Sequence, residues 1–124
     1  MGEGSKPVIL VVDDVPANIK MVAAILQGLY DLRIALNGVD ALKIAGSQKL
    51  DLILLDVVMP GMDGYAVCKQ LKNNPATRDI PVLFITGHAD DAETRRGLDL
   101  GAADILRKPL KPDLLRASVV AQLA

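Results

Sequence analysis

Apolar residues fall along this chain in two alternating rhythms. At 8–12 (Val-Ile-Leu-Val-Val), 52–55 (Leu-Ile-Leu-Leu) and 81–85 (Pro-Val-Leu-Phe-Ile) they run almost without interruption. Runs of strand length that lack alternation predict strands buried on both faces, as in the middle of a parallel sheet. Between these runs the apolar residues take helical spacing. Ile19, Val22, Leu26 and Leu29 follow Pro16, and Ala41, Leu42 and Ala45 follow an Asn37-Gly38 turn. Tyr65, Cys68 and Leu71 mark a helix over 63–72 with Asp63 as its cap, and Leu115, Val119 and Leu123 mark a last helix opened by Pro112. An acid just ahead of Pro16 suits the cap of the first helix, because its oxygen can accept from an unpaired helical N–H.

Three further segments complete the alternation. The stretch 31–36 carries Arg33 within it and reads as an edge strand; 103–107 reads as the last strand; 73–79 reads as loop. A polar helix is expected over 90–100, with Asp91, Glu93, Arg95, Arg96 and Asp99, stopped by Gly101. Five βα units of this kind imply parallel pairing with right-handed crossovers. With the first, third and fourth strands central and the second at an edge, the expected fold is α/β and flavodoxin-like. It is a (βα)5 three-layer sandwich with strand order 2-1-3-4-5.

Composition narrows the class. The 124 residues suit one domain, with 51% hydrophobic and 23% charged residues. The net charge of −1 gives no general basis for binding nucleic acid or acidic lipid. Two tyrosines, one phenylalanine and no tryptophan leave little material for stacking on bases or sugars. The single cysteine, Cys68, suits a reducing compartment and reads as a buried helix residue. No stretch has the length of a signal-peptide core or a membrane span. The expectation is a cytoplasmic domain over 7–124 behind a disordered leader at 1–6. The final helix stays apolar to Ala124, so either it packs fully on the sheet or it continues into an output domain.

A parallel sheet would gather the carboxyl ends of its strands at one edge. There the chain places Asp13 and Asp14 after the first strand, Asp56 after the third, Thr86 after the fourth and Lys108 after the fifth. Three crowded carboxylates repel one another, and a hard divalent cation relieves the repulsion. An ammonium suited to phosphate and a hydroxyl donor beside them complete a set for phosphoryl transfer, which is mostly positioning and charge neutralisation. Asp56, alone on the central strand, is the natural nucleophile for an aspartyl phosphate. Singly, each feature has a plainer reading: Asp13-Asp14 as a helix cap, Asp56 as a loop acid, Thr86 as a hydroxyl bonding its own backbone. Their joint placement favours the chemical reading.

With these residues in this order, the chain resembles the response-regulator receiver domains of two-component signalling from Val8 to about Leu123. The likeness rests on Asp13-Asp14, Asp56, the run Met59-Pro60-Gly61-Met62-Asp63-Gly64, Thr86 and Lys108-Pro109. It implies that Asp56 accepts a phosphoryl group from a phosphohistidine on a sensor histidine kinase. It further implies Mg²⁺ held by Asp14, Asp56 and the backbone carbonyl of Val58, with Asp13 acting largely through water. Lys108 would contact the phosphoryl oxygens, its bond to Pro109 would be cis, and Thr86 would swing toward the phosphoryl group. The helix 90–100, strand 103–107 and final helix would then form a regulated docking face for an output domain or a second copy.

The chain departs from the family pattern in two ways. Ile105 stands where an aromatic rotamer often follows the threonine. Val58 and His88 occupy the positions that tune hydrolysis of the acyl phosphate, and Val58 offers an attacking water no side-chain help. Pro16-Ala-Asn18 and the Met59–Gly64 run with Tyr65 and Cys68 resemble receivers that precede cyclic-dinucleotide or kinase output domains. Two other readings compete: a phosphorylation-independent interaction module of the same fold, and an aspartyl-nucleophile phosphatase. The phosphatase would need a second acid two residues past Asp56, where the chain has Val58.

Overall fold

The computed structural model describes residues 6–87 and 90–124. Its elements follow the expected alternation: β1 (Val8–Val12), α1 (Pro16–Leu26), β2 (Asp31–Ala35), α2 (Gly38–Ser47), β3 (Leu52–Asp56), α3 (Gly64–Asn73), β4 (Val82–Thr86), α4 (Asp91–Asp99), β5 (Asp104–Arg107) and α5 (Pro112–Leu123). The strands form one five-stranded sheet in the order β2-β1-β3-β4-β5, and every pairing is parallel.

Alternation within the buried strands decides which helix layer each side chain meets. Leu10, Val12, Ile53, Leu55 and Phe84 point into one core, shared with Ala41 and Ala45 of α2 and Val67, Cys68 and Leu71 of α3. Ile9, Val11, Leu52, Leu54, Leu83 and Ile85 point into the other, shared with Ile19, Val22 and Leu26 of α1 and Leu115 and Val119 of α5. The uninterrupted runs are therefore two interleaved faces, each covered by helices. All five residues of β3 and of β4 are buried, whereas β2 and β5 are exposed or half-buried at all but one position, as edges are.

Local chemistry sets the helix starts. Asp63 accepts from the Ala66 N–H at 2.9 Å, Asp90 from Glu93 N–H at 2.8 Å, and Asn37 from Asp40 N–H at 2.8 Å. Asn37 is thus the cap of α2 and Gly38 its first residue, a tighter arrangement than the separate turn expected there. Gly101, at φ +102°, turns the chain out of α4.

Two expectations need correction. Leu29 does not extend the buried stripe of α1, which ends at Leu26; Leu29 is 55% exposed, beyond a glycine at 28 with positive φ. The acid before Pro16 does not cap α1. Val15 takes the cap position, and Asp13 instead accepts from the Val15 N–H at 2.9 Å, fixing the strand-to-helix turn. On the last helix Leu115 and Val119 are buried and Leu123 packs against the same core, as the spacing predicted, while Val120 on the outer face is 58% exposed. The leader expected at 1–6 lies, but for Lys6, outside the described residues.

The central strand carries the tightest packing demand. Leu54, fully buried in β3, faces α1 and α5, and Leu54→Ala should lower the unfolding free energy by about 2–5 kcal/mol. Denaturant titration checks this: a shift in midpoint at unchanged slope is expected.

Candidate phosphoacceptor site

Register brings the chemistry together. Val12 of β1 pairs with Leu55 of β3, so the next residue along each strand, Asp13 and Asp56, emerges at the same level of the sheet edge. Asp14 follows on the turn into α1. Carboxylate oxygens of Asp13, Asp14 and Asp56 all lie within 4.8 Å of one another. On the other flank β4 and β5 run in step, with Thr86 opposite Arg107. The Lys108 N–H donates to the Thr86 carbonyl at 2.8 Å, which holds the start of the β5–α5 loop against the end of β4. From there the Lys108 ammonium reaches across to Asp56 Oδ1 at 3.0 Å and lies 3.8 Å from Asp13 Oδ2. The Lys108–Pro109 bond is cis, as the resemblance implied.

Asp13, Asp56 and Thr86 are buried, Asp14 is half-buried and Val58 is 65% exposed. Burial pushes the Asp56 carboxyl above its ordinary pKa; the hydrogen bond from Lys108 opposes this, and the charge of Asp13 adds to the rise. The strand therefore delivers an acid that is costly to ionise, beside two more acids and one ammonium. That donor set fits a hard divalent cation, because oxygen ligands of high negative charge are what such a cation requires and what only a cation relieves.

A family profile described as the response regulator receiver domain matches residues 9–120. This chain belongs to that family. Response regulator PleD of Caulobacter vibrioides is 46% identical over 112 residues, covering 90% of this chain and 25% of that protein. A Vibrio cholerae protein named as a probable cyclic di-GMP phosphodiesterase is 42% identical over 119 residues, covering 96% of this chain and 27% of its own. The receiver thus spans about a quarter of the length of these curated relatives. Among solved structures, the chemotaxis response regulator CheY4 of V. cholerae superposes with a TM-score of 0.89 at 29% identity, covering 96% of this chain and all of that one. The signal receiver domain of a signal transduction histidine kinase from Syntrophus aciditrophicus gives 0.85 at 38% identity, covering 94% and 89%.

The receiver brings together all five residues that the strand ends were expected to deliver. His88 lies outside the described residues. Ile105 is half-buried in β5 and packs against the core shared with α2 and α3. Cys68 is buried; its thiol donates to the Leu100 carbonyl at 3.7 Å, and burial raises its pKa, so it is a packing residue.

Two features escaped the sequence reading. Gly64 is the first residue of α3 and lies against the backbone of Asp56. A Cβ on it would sit 2.3 Å from the Asp56 carbonyl oxygen. Its sequence signal was a glycine directly after a helix cap, a place where ordinary helix formers are favoured. The second is a cleft of about 510 Å³ next to Asp56, lined by Val58, Tyr65, Thr86 and Glu93 among others. Its walls come from two stretches distant in sequence, Val57 to Tyr65 and Thr86 to Glu93, so only the folded chain shows it.

The raised pKa of Asp56 has a testable sign. The folded state holds that proton more tightly than the unfolded chain, so its stabilising contribution is full below about pH 4 and is lost as pH rises through the raised folded value. At pH 7 without divalent metal, Asp56→Asn is relieved of the cost of ionising a buried carboxyl and should therefore gain stability relative to the parent. The difference should shrink toward pH 4. Denaturant unfolding of both proteins across that range measures it.

Proposed function

We propose that this receiver is a phosphoacceptor switch in which Asp56 takes a phosphoryl group from a phosphohistidine of a sensor histidine kinase or phosphotransfer protein. The observation that carries this reading is the buried Asp56 carboxylate with the Lys108 ammonium at 3.0 Å and two further carboxylates within 4.8 Å. An oxygen lone pair of Asp56 forms the new bond to phosphorus as the phosphorus–nitrogen bond of the donor breaks. The electrons of the broken bond return to the departing imidazole nitrogen. Lys108 balances charge on the phosphoryl oxygens, and the Thr86 hydroxyl donates to one of them. Asp14, Asp56 and the Val58 carbonyl would hold Mg²⁺, with Asp13 acting through water; the ion supplies charge neutralisation along the same path. Exposed and apolar, Val58 gives an attacking water no general base, so hydrolysis rests on the rest of the site.

The receiver acts on its own carboxylate and turns over no separate metabolite. We place it in the cytoplasm with its phosphoryl donor; no described helix is long and apolar enough to cross a membrane. Its state is read through the face made by α4, β5 and α5, either by an output domain or by a second copy. The relatives' names span a cyclic di-GMP phosphodiesterase and, in Bacillus subtilis PhoP at 40% identity, a transcriptional regulatory protein. A receiver of this type therefore serves outputs of unlike chemistry, and residues 7–124 act as the common input.

Incubation with acetyl phosphate and Mg²⁺ should add one phosphoryl group to the intact mass. Asp56→Asn should gain nothing, chelation of the metal should abolish the gain, and Lys108→Ala should slow it by about 10²-fold. A parent chain that neither gains mass nor binds beryllofluoride, a stable mimic of the acyl phosphate, would sink the proposal. Mg²⁺ at ten times its Kd should also stabilise the parent by about 1.4 kcal/mol, seen as a higher Tm that Asp56→Asn loses.

A further inference from the structure

In many receivers the partner of the threonine is an aromatic on the fifth strand, and here that position is Ile105. The aromatic of this region sits elsewhere. Tyr65, on the first turn of α3, is buried, and its ring meets Phe84 of β4 edge-on at 5.3 Å between centroids. Its hydroxyl donates to the Glu93 carboxylate on α4, and the Arg96 guanidinium lies over its ring, 4.1 Å from the centroid. Two successive turns of α4 are thus tied to one side chain of α3.

What each end of this tie is anchored to gives it meaning. Tyr65 follows Gly64, which is pressed against the Asp56 backbone and donates its N–H to the Val57 carbonyl at 2.8 Å. The tyrosine therefore has a fixed position relative to the phosphoacceptor. Glu93 belongs to a helix with little hold of its own. Gly97 is the one residue of α4 that is buried, and the helix carries charge on most of its other positions. Glu93 also lies seven residues after Thr86, in the first turn of the helix that the β4–α4 loop delivers. Thr86, Tyr65 and Glu93 line the same cleft. A shift of Thr86 toward Asp56 would bear on the start of α4, seven residues on, while Tyr65 stays with Asp56.

We propose that Tyr65 is a positioning residue that latches α4 in the unphosphorylated arrangement, through Glu93 and Arg96, and that phosphorylation at Asp56 works against this latch. The inference rests on the phosphoacceptor reading above. A phenol bonded to a carboxylate and covered by a guanidinium is a discrete contact that is either made or broken, which suits a two-state element. Burial first, and then the bond to Glu93, push the Tyr65 hydroxyl up to about 12, so the donor keeps its proton throughout the neutral range.

Reciprocity supplies the test. If the latch favours the resting form, loosening it must tighten binding of whatever favours the active form. Tyr65→Phe removes the hydroxyl and keeps the ring that Phe84 and Arg96 touch, so the fold is retained. We expect amide hydrogen exchange in α4 of the metal-free protein to be several-fold faster in Tyr65→Phe, with α1 and α5 unchanged. With Mg²⁺, beryllofluoride should bind Tyr65→Phe about fivefold more tightly than the parent. Glu93→Ala should add little further in the Tyr65→Phe background, because the shared bond is already gone. Beryllofluoride bound to the parent should speed exchange in α4 while protecting the loop after Asp56.

Unchanged exchange in α4 of Tyr65→Phe would overturn the latch. Faster exchange with unaltered beryllofluoride affinity would reduce Tyr65 to a packing role and overturn its coupling to phosphorylation. Absence of protection after Asp56 in the parent would mark the separate failure of the phosphoacceptor reading, and the coupling would fall with it.

Discussion

Everything at the site depends on a carboxylate that the fold withdraws from water. Asp56 ends a strand buried along its whole length, between strands that are themselves central. Parallel pairing leaves it no freedom to move outward, because Asp56 is in register with Ile85 and the Val57 N–H is bonded to the Ile85 carbonyl at 3.1 Å. An acid held this way is reactive for the reason that it is costly. Ionised, it demands positive charge nearby, and the protein supplies one ammonium for three acids. The deficit is of the kind that a hard divalent cation with oxygen ligands relieves. Charge imbalance, rather than any single residue, is the physical content of the cluster.

Most of this was legible in the sequence because it depends on period and order. Buried runs predicted strands, their interruption by helical spacing predicted parallel pairing, and parallel pairing predicted a common edge. The residues following each run then had to meet there, as Asp13, Asp56, Thr86 and Lys108 do. Errors arose where one residue had two local roles of similar energy. Asp13 could cap α1 or brace the turn before it, and the pull of Lys108 and the strand geometry favour bracing. Leu29 kept helical spacing past the point where the backbone had already turned at residue 28. Tyr65 looked like one more buried residue on a helix face. Its partners Glu93 and Arg96 are 28 and 31 positions away, and no periodicity within one element reports a contact between two.

The two helix layers bear differently on the site. On one side of the sheet α1 and α5 bury branched side chains, Ile19, Val22, Leu26, Leu115 and Val119, and so are held by extensive apolar contact. On the other side α3 buries Tyr65, Val67, Cys68 and Leu71, while α4 buries Gly97. Apolar burial of about 25 cal/mol per Å² separates these helices by several large side chains of stabilisation. The layer is therefore asymmetric within itself: α3 is fixed to the sheet and to Asp56, and α4 rests against it mainly by polar contact. A small displacement at the strand ends will be taken up by the helix with least to lose, and that helix is α4.

The substitution of an aliphatic residue at 105 belongs to the same arrangement. Gly97 brings the α4 backbone so close to the sheet that an added Cβ would lie 2.8 Å from Ile105 Cδ1 and 3.0 Å from the Phe84 ring. In that seat a large ring at 105 would compete with the helix for the same volume. With Ile105 there instead, α4 settles against β4 and β5, and its first two turns come within reach of Tyr65. The aromatic contact of the region is the one between Tyr65 of α3 and Phe84 of β4, next to Asp56. Close seating through Gly97, a compact side chain at 105 and the bond from Tyr65 to Glu93 are three aspects of one packing solution. A change at any of them has to be accommodated by the other two.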